Sequence, residues 1–150
     1  MTLTELITAI ELKHKETGVT IHPPATPADL EQAEAKIRSW LPADFKEFYS
    51  ICNGFRCVKD NFSIVELRSI FADSDFGKDC IIFAEHSVFA DVWVFRKLDD
   101  DNYEIFFSDD EETTLTTSLE EFLRRLLQGH LSEPGGLYGW PEEIKQRQKS

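Results

Sequence analysis

Apolar residues recur at helical spacing in four stretches and turn to alternation or continuous runs between them. Leu3, Leu6, Ile7 and Ile10 predict a helix over residues 2–16, with Gly18 as its stop. Thr26 is a suitable N-cap for a second helix, with Pro27 in its first position and Asp29 three residues after the cap. Leu30, Ala33 and Ile37 line its apolar stripe, and Glu34 lies beside that stripe. Trp40-Leu41-Pro42 breaks the pattern. Phe45, Phe48, Tyr49 and Cys52 then follow at i, i+3, i+4, i+7, a third amphipathic helix that ends at Asn53-Gly54, with Gly54 suited to a left-handed C-cap.

The middle of the chain has strand character. Residues 62–67 alternate, residues 80–84 form a short apolar run, and residues 92–98 and 103–107 are rich in β-branched and aromatic side chains. Asp99-Asp100-Asp101-Asn102 separates the last two runs, which predicts an antiparallel hairpin over 92–107. A second acidic turn covers 109–112. Ser118 and Glu121 make a capping box for a fourth helix, with Leu119, Phe122, Leu123, Leu126 and Leu127 on one face and Gly129 at its end. The remainder holds Gly135-Gly136, Tyr138 and Trp140, and residues 141–150 are expected to be loosely held. The order is helices, strands, helix. It lacks βαβ alternation and predicts a single α+β domain over 1–150, its sheet mostly antiparallel.

Charge narrows the classes of partner. The formal net charge is −12, which argues against nucleic acid and against an anionic membrane surface, and favours a basic partner. Residues 99–112 alone hold eight carboxylates and no Lys or Arg: Asp99, Asp100, Asp101, Glu104, Asp109, Asp110, Glu111 and Glu112. Such a cluster is either a solvated turn that protects a sheet edge or a surface that steers a basic protein. The EF-hand spacing is absent, so calcium is not expected.

Cys52, Cys57 and Cys80 are too few and odd in number for a disulfide framework, which predicts reduced thiols in a soluble cytoplasmic protein. The opening MTLTELITAIELKHKE has neither the basic nor the continuous apolar segment of a secretion signal. Zinc through these cysteines and His86 would need a spacing that matches no recurrent pattern. His14, His22, His86 and His130 fall in no catalytic motif. No cofactor is therefore expected, and no enzymatic role. Phe45, Phe48 and Tyr49 read as core, as does Trp93. Trp40 and Trp140 flank prolines or loops, where a half-exposed Trp can anchor a partner.

Residues 26–55, TPADLEQAEAKIRSWLPADFKEFYSICNGF, resemble the opening motif of the SUKH superfamily of the Smi/Knr type. The matching positions are Glu34, Leu41, Pro42, Phe45, Phe48, Asn53 and Gly54. Residues 81–86, the 92–107 hairpin and the Ser118-led helix are similar to its later elements, so the likeness covers about residues 20–129. Phe55-Arg56-Cys57 departs from the small or Gly-rich stretch common there. The resemblance implies a non-catalytic α+β protein-binding domain whose motif residues are structural. In bacteria it implies an immunity protein that neutralises a toxin, often a nuclease; in fungi, a regulator of cell-wall synthesis. The short flanks favour the bacterial reading, with a basic toxin domain as partner and a monomer or weak homodimer as the state. A ligand-binding protein or an enzyme is the lesser alternative.

Overall fold

Helix α1, Leu3–Lys13, starts at a reciprocal cap: the Thr2 hydroxyl accepts the Glu5 N–H, and the Glu5 carboxylate accepts the Thr2 N–H. Helix α2, Pro27–Ile37, repeats the device with Thr26 and Asp29. Helix α3, Ala43–Ile51, begins after Pro42, which offers no side-chain cap. Strand β1, Val19–Ile21, lies between the first two helices. The computed structural model describes residues 1–99 and 101–149. No helix among them is long and apolar enough to cross a membrane.

Six further strands follow: β2 (Phe55–Cys57), β3 (Phe62–Ile64), β4 (Phe71–Ala72), β5 (Cys80–His86), β6 (Asp91–Lys97) and β7 (Tyr103–Phe107). They form one antiparallel sheet in the order β1-β2-β3-β5-β6-β7, with β4 also paired to β5. Helices α4, Leu119–Gly129, and α5, Trp140–Lys149, complete an α+β fold. The departure at Phe55-Arg56-Cys57 is resolved as strand β2.

The apolar run in β5 is buried because both sheet faces are covered. Ile81 and Phe83 join the main core with α1, α3 and α4, while Cys80 and Ile82 join a smaller cluster with Val92, Val94 and Phe106 on the other face. A register shift between Ile82 and Ala84 turns Ala84 back toward the main core. Phe71 and Phe76 pack over the smaller cluster. Beyond β7, Ile105 exchanges two 2.8 Å backbone hydrogen bonds with Leu115 and Thr116, which covers that edge.

Two expectations are corrected. Helix α3 ends at Cys52 in an extended conformation, and Gly54 (φ +82°) instead serves the turn into β2. A Cβ at Gly54 would collide with the carbonyl oxygens of Ile64 and Val65, so the backbones meet too closely for any larger residue. At α4 only half of the capping box forms: Ser118 Oγ accepts the Glu121 N–H at 3.2 Å, but the Glu121 carboxylate accepts the Thr116 hydroxyl. The chain after Gly129 is folded, with Trp140–Lys149 as helix α5. Gly129 and Gly136 approach so closely that a Cβ on either would strike the other's backbone, and this folds the chain back to form α5. Arg125 then pairs with Glu143, and Lys145 with Asp110, each at 2.6 Å.

Candidate functional site

The positions that carry the resemblance to the SUKH superfamily make hydrogen bonds and packing contacts inside the fold. Glu34 Oε2 accepts the Leu41 N–H at 2.7 Å and faces Lys46 Nζ at 3.5 Å. One carboxylate thereby ties α2 to the Leu41-Pro42 step and to α3. Leu41, Pro42, Phe45 and Phe48 are all buried. Asn53 donates its N–H to Pro23 O and accepts the Leu67 N–H on Oδ1, both at 2.9 Å. These atoms are consumed within the fold.

The first acidic turn closes the β6–β7 hairpin. Asn102 donates its N–H to Asp99 O at 2.8 Å and its side-chain amide to Asp99 Oδ1 at 3.1 Å. Asp101 Oδ1 accepts the Ala43 N–H at 2.7 Å. Asp101 thus supplies the cap that Pro42 lacks, at the positive end of α3. Asp100 lies outside the described residues.

Trp40 stands beside this turn. Trp40 is 40% exposed, with Lys97 Nζ 3.3 Å from its ring centroid. Lys97 also donates to Ser39 Oγ. Burial holds the Lys97 ammonium below its ordinary pKa, against the pull of Asp79, Glu34 and Asp101. Trp40 and Asp101 meet at this corner through Lys97 and Ala43, and Leu98 and Asp99 follow Lys97 along the chain, both exposed.

The second acidic turn faces elsewhere. Asp110 is tied to Lys145 and to Thr113, and the Lys145 hydrogen bond holds its carboxyl below the usual range. Asp109, Glu111 and Glu112 are exposed and make no hydrogen bond or ion pair with another described residue. They line an open cleft of about 760 Å³ with Arg96, Glu104 and Thr114, where Arg96 pairs with Glu104 at 2.8 Å. The seven described carboxylates of residues 99–112 are thus divided between two sites. Trp140 does not join either. It is 2% exposed, against Phe122 and under the Arg125 guanidinium, so the half-exposed placement expected of it is wrong.

Two groupings escaped the sequence. His130 Nε2 lies 2.7 Å from Asp60, and its ring meets that of His14 at a 40° tilt with centroids 4.4 Å apart. His86 contacts the Tyr138 hydroxyl, which donates to Asp91 at 2.7 Å. A cleft of about 430 Å³ touches His14, His86 and His130. These residues come from distant parts of the chain, and no local spacing signals them. Among the described residues no three His, Cys, Asp or Glu side chains are grouped to hold a metal ion. All three cysteines are buried, and burial pushes the Cys52 thiol up to about 11 and Cys57 to about 12. Both are protonated at neutral pH and poor nucleophiles.

A search of curated proteins gives no match to the chain. The model of the SMI1 / KNR4 family (SUKH-1), which at the family level denotes a protein-interaction domain, matches residues 24–125. That match spans α2 through most of α4, more than half of the sequence, and the chain belongs to the SMI1 / KNR4 family (SUKH-1).

Proposed function

We propose that the protein is a non-catalytic immunity protein that binds a basic toxin domain and blocks its active surface. The observation that carries this reading is the exposed Trp40 over Lys97, at the corner where Asp101 caps α3. A large aromatic ring on a rigid support is the usual anchor of a protein interface. The carboxylates around it raise the encounter rate with a basic surface and penalise acidic competitors. The net charge of −12 extends the same field over the molecule. If the toxin is a nuclease, the carboxylates occupy the groove that otherwise receives phosphates.

The rest of the fold supports this role. Lys97 beneath the Trp40 ring and Asp101 at the start of α3 hold the corner in place, so little side-chain freedom is lost on binding. The second turn, with Asp109, Glu111 and Glu112, supplies a further acidic surface for steering. The test is co-expression with the toxin domain encoded in the adjacent gene. Protection of the cell and co-purification of a stable complex are expected. No such gene, or no protection and no complex, contradicts the proposal.

A further inference from the structure

The β5–β6 connection, residues 87–90, adopts a backbone that its sequence does not favour. Ser87, Val88 and Phe89 have φ of +56°, +55° and +61° in succession. Gly, Asn and Asp ordinarily fill such positions, and a β-branched Val there is an outlier. The conformation is held from inside the molecule. Glu85, itself 5% exposed, accepts the Phe89 N–H at 2.9 Å, and the Ser87 N–H donates to Asn61 O at 3.0 Å. The Phe89 ring rests 6.0 Å from that of Phe71. Yet Val88 is 78% exposed and Phe89 43%. An Asn-Gly pair would make a tight turn here without strain and without apolar exposure. Strain held by its surroundings is concentrated at ligand clamps and binding loops.

We propose that Val88 and Phe89 are a preorganised apolar anchor that inserts into an apolar pocket on a basic partner protein. The inference rests on the protein-binding reading above and adds a second point of contact. These side chains carry no polar atoms, so only an apolar pocket rewards their burial. The charge of −12 favours a basic protein, and repels both an anionic bilayer and a second copy of the chain. Strand β6 places the tip roughly 20 Å from the Trp40 corner. A standard interface of about 800 Å² per partner can cover both.

The test pairs Val88→Asn with Phe89→Gly and uses the purified toxin domain of the adjacent gene as probe. The double variant is expected to unfold at the same or a higher temperature than the wild type. It should leave the toxin domain at least about 30-fold faster, with its association rate changed by less than about twofold. A folded variant that dissociates like the wild type overturns the anchor and leaves the Trp40 corner standing. Absence of any wild-type complex overturns both. A variant less stable than the wild type removes the strain on which the inference depends. Wild-type self-association in sedimentation, or binding to phosphatidylcholine vesicles, abolished by the same pair, would assign the tip to those occupants instead.

Discussion

Asp101 Oδ1 accepts the backbone N–H of Ala43 at 2.7 Å, across a gap of 58 residues. A turn that reads as pure surface charge is therefore also the cap of α3. Neutralising the whole turn would be expected to leave stability unchanged, but the contact removes Asp101 from that expectation. Asp101→Ala should lower stability by about 1 kcal/mol, as loss of an N-cap does, and Asp101→Asn by less because its amide oxygen still accepts. Urea unfolding of the two variants beside Asp99→Asn distinguishes them. Equal stability of all three would show that the cap contributes nothing.

Glu34 carries the same kind of long-range duty. Its carboxylate satisfies the Leu41 N–H and faces Lys46. Glu34→Ala leaves a half-buried amide without a partner and should cost about 1–3 kcal/mol. Glu34→Gln retains an acceptor and should cost less. Chemical denaturation reads the difference, and equal losses in both variants would point to the charge on Lys46 instead of the Leu41 hydrogen bond.

Phe48 is fully buried against Tyr49 and Phe55. Its truncation in Phe48→Ala should destabilise the protein by about 3–5 kcal/mol. A loss below about 1 kcal/mol would place the helix face elsewhere.

Stability should fall as the pH drops below about 6.5, the ordinary histidine value. Burial holds His14 below that value in the folded protein, helped by the nearby His130 and Lys13 and opposed by Asp60 and Glu133. The unfolded chain takes up the proton first, so the contribution is complete above about 6.5 and is lost on acidification through it. Asp110 and Glu143, held low by Lys145 and Arg125, add a separate loss at more acidic pH. Thermal midpoints between about pH 7.5 and 5.5 should drop less in His14→Leu than in the wild type. An identical drop in both would assign the effect to another group.

Much of this architecture is local and therefore readable. Thr26 with Asp29, the Phe45–Phe48–Tyr49 stripe and the 92–107 hairpin each declare themselves within a few residues, through capping or periodicity. The errors concern contacts made over distance. Trp140 reads as a loop aromatic because its burial depends on Gly129 meeting Gly136, which only the folded chain brings about. The Gly135-Gly136 pair was the available signal. Asp101 reads as solvated because Ala43 is remote in sequence, and His14, Asp60 and His130 converge from three separate segments. Of the candidate binding residues, Trp40 and Asp99 are exposed, while Asp110 is diverted to Lys145.

On the proposed function, this acidic corner receives a basic protein. The direct measurement is the association rate of the adjacent-gene toxin domain with wild-type protein and with Asp99→Asn/Asp101→Asn, from about 0.01 M to about 0.15 M ionic strength. Steering by the corner predicts a wild-type rate that falls by about tenfold or more over that range, and a slower rate with a shallower salt dependence for the variant. Rates indifferent to salt, or identical for the two proteins, would contradict it.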